Sequence, residues 1–303
     1  MAEELCKALI GLYQALAADN KHQPSVDERW VAACACLAAL AAASPRARRL
    51  ALHRRLPRAL RATLLAVRDH LSVQGKPADL IRTANNNPVL HSLYWVLTVM
   101  DCSMVECAPA KECFAEEDMT VSLCRLWAWC MMTDQLRHAV MHLLCTFNNN
   151  CPKAWASMCV CVCGRTLAGE VCALAAREAA RQARAQPAAL LALALRTLRA
   201  LLHHHHCRTI LIKSDVLSSM YKLCVRERVR GPSGASVAWT RLCCELARHA
   251  DGGGALLALF AGGVPLAALP AATRARLLPA LAHAAPAHRA LCLHSPELLE
   301  LLS

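Results

Sequence analysis

Two stretches of this chain are copies of one another, and a chain that repeats at a fixed spacing is confined to few architectures. The first runs Cys207-Arg208-Thr209-Ile210-Leu211-Ile212-Lys213-Ser214-Asp215-Val216-Leu217, and the second His288-Arg289-Ala290-Leu291-Cys292-Leu293-His294-Ser295-Pro296-Glu297-Leu298. Arg208 corresponds to Arg289, Leu211 to Cys292, Ser214 to Ser295 and Leu217 to Leu298, at one offset of about 81 residues. A leucine-rich segment precedes each copy, Ala188 to Leu202 and Arg274 to His283. Between the copies lies Trp239 to Leu269, with Gly262-Gly263-Val264-Pro265-Leu266 placed as a turn followed by a restart.

Helical arrays of the armadillo and HEAT type repeat every roughly 40–47 residues, so the offset spans two periods. The pattern predicts an all-α, armadillo/HEAT-like α-solenoid, a right-handed superhelix of stacked helices that bury their apolar faces on one another. Composition points the same way. The chain is 56% hydrophobic yet only 4% aromatic, and its dominant alanine and leucine favour helix over strand. Residues 1–186 read as irregular repeats and 187–303 as clearer ones, in one array without a second domain.

Capping side chains before prolines mark helix starts at Ser44-Pro45, Asn87-Pro88 and Ser295-Pro296-Glu297. Apolar residues at helical spacing then define faces: Leu60, Leu64, Val67 and Leu71; Met119, Leu123, Leu126, Trp127 and Cys130; Leu136, Val140, Leu143, Leu144 and Phe147. Only the Met132-Thr133-Asp134 corner separates the last two, which favours antiparallel neighbours. Asn85 to Pro88 and Asn148 to Pro152 each read as a helix end, a turn and a new helix. Further breaks are expected at Asp19 to Pro24, Gln74 to Pro77, Cys107 to Lys111, Gly231 to Ser236 and Asp251 to Gly254.

The mean hydropathy of +0.30 raises the question of a membrane span. The apolar run Val31 to Ala43 falls short of the about 20 residues a bilayer requires, and Arg196 and Arg199 interrupt Leu190 to Leu202. No membrane segment is expected. Met1-Ala2-Glu3-Glu4 is acidic where a signal peptide is basic, which predicts a cytoplasmic protein. Its 19 cysteines, such as Cys34 and Cys36 among alanines or Cys124 and Cys130 around Trp127, then serve as small hydrophobes.

The formal net charge is +12, with 34 Lys plus Arg against 22 Asp plus Glu. The excess gathers in Arg46 to Arg68 and Arg177 to Arg199, joined by Arg226, Arg228 and Arg230, and would attract acidic partners. Arg54, Arg58 and Arg61 fall at i, i+4 and i+7 opposite Leu56, Leu60 and Leu64 if one helix covers them, although Pro57 better begins a helix than sits inside one. Without aromatic interleaving a solvated basic face is the preferred reading, and a nucleic-acid-gripping module the alternative.

Cys159, Cys161 and Cys163, with Cys151 and Cys172 nearby, raise a zinc hypothesis. Zinc needs four converging ligands, commonly from Cys-x-x-Cys knuckles on turns, whereas this alternation on a helix spreads successive sulfurs by about 200°. Buried helix packing is expected instead. The run His203, His204, His205 and His206 follows a leucine-rich helix, where capping and turn formation are the expected role rather than metal binding. Gly252-Gly253-Gly254 after Asp251 lacks the lysine and hydroxyl of a phosphate loop, and no G-x-S-x-G or H-E-x-x-H is present. Neither catalytic nor cofactor-binding residues are assigned, and the chain is not expected to be an enzyme.

The C-terminal half resembles the end of the rotatin family, large armadillo-like proteins of centrioles and basal bodies. One segment carrying the resemblance is Leu198-Arg199-Ala200-Leu201-Leu202 leading into Cys207-Arg208 and Lys213 to Leu217. A second is Trp239-Thr240-Arg241-Leu242 to Asp251-Gly252, Leu256 to Leu259 and Val264-Pro265-Leu266. The last is Leu277 to His283, His288-Arg289-Ala290-Leu291 and Glu297-Leu298-Leu299-Glu300-Leu301-Leu302. The middle segment, with Trp239-x-x-Leu242 followed by Asp251-Gly252, is the more distinctive part. The resemblance covers Leu190 to Ser303, more weakly Trp127 to Val171, and implies a fragment of a larger protein. It further implies a non-enzymatic scaffold whose partners are centriolar or centrosomal proteins, at the centriole, centrosome or cilium basal body.

Overall fold

A computed structural model describes residues 2–19, 28–181, 189–226, 233–262, 265–293 and 295–300. Among them the chain is all-α, its one β-type pairing an isolated bridge between Val162 and Arg165. It falls into two compact units, Met1–Leu167 and Ala168–Ser303.

The first unit holds α1 (Ala2–Asp19), α2 (Glu28–Ala43), α3 (Pro45–His53), α4 (Leu56–Gln74), α5 (Pro88–Met104), α6 (Ala108–Glu116), α7 (Met119–Cys130), α8 (Asp134–Asn148) and α9 (Pro152–Met158). Helices three apart in sequence pack on one another. α2 lies against α5 and α5 against α8; α1 against α4 and α4 against α7; α3 against α6 and α6 against α9. Each expected apolar face is buried, from Leu60 and Leu64 on α4 to Leu143 and Phe147 on α8. Two of the three predicted caps form: Ser44 Oγ accepts from Ala47 N at 3.3 Å and Asn87 Oδ1 from Val89 N at 2.9 Å. Ser295 stands at the N-cap of the helix beginning at Pro296 without a side-chain cap bond, and Thr133, expected only as part of a corner, caps α8 by accepting from Leu136 N at 3.2 Å.

The corners are short because single residues reverse the backbone. Arg55, Glu106, Asp118 and Asn150, with φ of 56°, 48°, 53° and 55°, each occupy the left-handed region between two helices. Arg55 also explains a departure from expectation. α3 ends at His53 and α4 starts at Leu56 with Pro57 in its first turn, so Arg54 is off the helix that carries Arg58 and Arg61. Pro77–Asn86 winds as a 3-10 segment, so the helix ending before Asn87 is of this tighter type. Cys107 caps α6, which already contains Lys111, so that break is narrower than expected.

In the second unit α10 (Leu167–Arg181) starts at the junction, followed by α11 (Ala189–Leu201), α12 (His205–Ile212), α13 (Val216–Arg226), α14 (Gly234–Leu246), α15 (Ala250–Ala261), α16 (Ala271–Ala284), α17 (Arg289–Cys292) and α18 (Pro296–Leu299). Stacking recurs: α11 packs on α14 and α14 on α16, while α12 packs on α15 and α15 on α17. The two sequence copies therefore share one layout, α12 then α13 and α17 then α18, with α15 between α12 and α17. Where α13 would have a counterpart after α15, the chain makes only the 3-10 turn Leu266–Ala268, and Tyr221 Oη donates to Pro265 O there at 2.9 Å.

The Asp251 to Gly254 stretch is not a break. It forms the first turn of α15, and the corner lies one turn earlier, ending at His249. The glycines are there for space. A Cβ on Gly252 would fall 2.3 Å from Leu246 O, and one on Gly253 2.8 Å from Ala284 Cβ. Arg208 on α12 reaches across to α15, its Nε 3.1 Å from both Asp251 oxygens, while its Nη1 donates to Leu202 O at 2.8 Å. His288 Nε2 lies 2.9 Å from Ala250 O. Asn20 to Pro24, Ala188, Arg228, Arg230, Gly231, Pro232, Gly263, Val264, His294 and Leu301 to Ser303 lie outside the described residues.

Candidate functional site

In the first unit a groove between α5 and α8 is lined by exposed and half-exposed aromatic and polar groups. On α5, His91, Tyr94, Trp95, Thr98 and Asp101 follow helical spacing along one side, while Leu90, Leu93, Leu97 and Met100 are buried. On α8, Asp134, Gln135, His138, Ala139 and His142 do the same above the Leu136 and Val140 core. Between them a cavity of about 340 Å³ is lined by Tyr94, Thr98, Asp101, Asp134, Gln135, His138, Ala139 and His142. A smaller one of about 160 Å³ adjoins it along Tyr94, Asp134 and Gln135 and reaches Asn85 and His91.

The aromatic wall of the groove is held in place by its own contacts. Trp95 Nε1 donates to His91 Nε2 at 3.1 Å, and the Tyr94 and Trp95 rings meet edge to face, centroids 5.3 Å apart at 72°. Thr98 Oγ1 donates to Tyr94 O at 2.8 Å. On the facing helix Arg137 Nη2 pairs with Asp134 Oδ1 at 2.7 Å, and His138 Nδ1 lies 2.8 Å from Asp134 O.

Asp101 is the unusual member. Burial pushes its carboxyl above the ordinary carboxylate range, partly countered by a hydrogen bond from Thr146 and the charge of His142. Its Oδ1 is covered and has no hydrogen-bond partner, a costly condition for an acid. Nothing in the sequence marked this groove. The only available signal was an aromatic pair about two turns from an acid on a polar stripe, which reads equally well as a solvated face.

The expected candidates are placed differently. α9 ends at Met158, so Cys159 follows its last turn, half-buried, and Cys161 and Cys163 are exposed around the Val162–Arg165 bridge, Cys163 with φ 50°. These three do not pack inside a helix as expected, because Pro152 opens a helix of only 7 residues. Eleven of the nineteen thiols are buried, Cys34 and Cys124 among them, and Cys36 is exposed. Burial pushes the Cys130 thiol up to about 12.

His203 and His204 do make the turn after α11, with His204 at the N-cap of α12 and His205 and His206 in its first turn. Burial lowers the His204 pKa, with the charges of His206, His205 and Arg208 adding to the effect. Arg46 and Arg49 on α3, Arg54 and Arg55 in the corner after it, and Arg58 in the first turn of α4 are all exposed. No described helix is long and apolar enough to cross a membrane. No protein-family model matches the chain, and neither does any curated protein.

Proposed function

We propose that the chain is a non-enzymatic protein–protein interaction scaffold, built as an armadillo-like right-handed solenoid and working at the centriole, centrosome or cilium basal body. The observation that carries the reading is the stacking of non-adjacent helices into rows, α2 on α5 on α8 at a spacing of three and α11 on α14 on α16 where the spacing shortens to two. Such rows present continuous side-chain faces, and repeat proteins use extended faces of this kind to hold partners. The α5–α8 groove supplies aromatic surface and hydrogen-bonding groups suited to a polypeptide rather than a nucleophile set beside a base. The centriolar setting, the cytoskeletal location and the centrosomal partners follow from the resemblance of Leu190 to Ser303 to the rotatin family.

The exposure of Arg46, Arg49, Arg54, Arg55 and Arg58 within one short stretch favours a second reading, a basic helical module holding nucleic acid. Phosphate contacts confer a steep salt dependence. The scaffold reading predicts negligible binding of duplex DNA or RNA at low salt. Tight binding that weakens steeply with added salt would replace it with the second reading.

A further inference from the structure

We propose that the corner joining α11 to α12 is a zinc site, with Cys207, His204 and His206 as its protein ligands. All three come from one short segment of the second unit. His204 is the N-cap residue of α12, and Cys207 follows three residues on in the first turn. A ring nitrogen of His204 and Cys207 Sγ lie within 4.8 Å of each other, and the His206 ring centroid is 5.6 Å from that of His204. Zinc binds sulfur at about 2.3 Å and imidazole nitrogen at about 2.0 Å, so modest rotation of the two rings brings the three donors onto one ion. The rings have room to turn, His204 being half-buried and His206 exposed, and the exposed side gives the ion an entry path. Cys207 is only 3% exposed, so packing fixes the sulfur and shields its bond to the metal.

Two further observations point to a ligand rather than to the turn itself. His204 occupies the N-cap position, yet its side chain makes no cap bond, so capping does not account for the imidazole. The second copy of the repeat supplies the comparison. There Ala285 and Ala287 stand where the first copy has His204 and His206, and His288 stands in place of Cys207. A helix still follows, α17 from Arg289, so the layout forms without these donors. The first-turn amides of α12 complement the negative charge of a metal-bound thiolate. Three protein ligands leave the fourth tetrahedral position to water, and the ion pins the end of α11 to the start of α12.

The test uses the full chain expressed without a tag, purified without a nickel column and stripped with a chelator. It is titrated with zinc against a chromophoric chelator, and separately with cobalt as a spectroscopic substitute. The expected result is one zinc per chain and a cobalt complex with the near-ultraviolet absorption of a sulfur–cobalt bond. Cys207→Ser should abolish that absorption. His204→Ala and His206→Ala should each weaken zinc by about tenfold or more, the loss that disturbing even a ligand's hydrogen-bond partner brings. His205→Ala, on the neighbouring exposed imidazole, should leave the affinity unchanged, which separates an ordered site from capture by a run of histidines. His205 and His206 are exposed, so replacing them leaves the core intact; helicity and melting temperature check that the other two variants fold. Absence of stoichiometric zinc would overturn the site. A cobalt complex without sulfur absorption, or equal losses from His204→Ala, His205→Ala and His206→Ala, would overturn it as well, showing adventitious binding only.

Discussion

Replacing Arg208 by methionine tests whether the repeated arginine joins neighbouring stacked helices. The variant keeps an unbranched apolar stem for packing and removes the guanidinium. Arg208 is 13% exposed and Asp251 35%, so the pair is half-shielded rather than buried. Charge-assisted bonds in that setting contribute about 1 kcal/mol after screening. The loss also leaves Leu202 O, now bonded at 2.8 Å, without its donor in a covered position, which costs about 1 kcal/mol more. A total near 2 kcal/mol lowers the melting temperature of a unit this size by about 6 °C.

The pH dependence carries a sign. Burial alone would raise the Asp251 pKa, but the hydrogen bond and charge of Arg208, with the Gly252 N–H, bring it below the ordinary range. Its stabilising contribution is therefore present above the unfolded aspartate value near about pH 4 and disappears as pH falls through the depressed native one. Urea denaturation of both proteins at pH 7 and again in acid measures the difference, which should shrink in acid. Hydrogen exchange should place the lost protection on α12 and α15. A change below about 0.5 kcal/mol at pH 7, or lost protection confined to other helices, would refute the assignment.

Other predictions follow from local geometry. Gly253→Ala sets a methyl 2.8 Å from Ala284 Cβ and should destabilise by about 1–3 kcal/mol in thermal melts, as overpacking does. Asp101→Asn should raise or preserve the melting temperature at neutral pH. A carboxyl whose native pKa lies above its unfolded value loses stability as pH rises between the two, and an amide escapes that loss. Brief alkylation read by mass spectrometry should label the exposed Cys36, Cys161 and Cys163 first and leave the buried Cys34, Cys130 and Cys243 untouched until the protein is unfolded.

Local features of the fold were legible in sequence wherever one residue or one face dictates them. Leu136, Val140 and Phe147 specify the buried side of α8, and Asn87 before Pro88 the start of α5, because helical period and capping are local physics. The stacking of α2 on α5 on α8 depends on pairings between distant segments, which no local pattern encodes. Gly252 and Gly253 read as a loop because glycine disfavours helix, yet close approach to Leu246 and Ala284 demands glycine inside one. Cys159, Cys161 and Cys163 read as helical because nothing in their composition shows that Cys163 takes a left-handed conformation. Asp101 looks like any surface acid until the packing of α8 covers one of its oxygens.

Imaging the tagged chain beside a centriolar marker in dividing and ciliated cells tests the proposed centriolar scaffold. Discrete foci coincident with centrioles and basal bodies are expected. A chain that never meets centrosomes at any stage would contradict it.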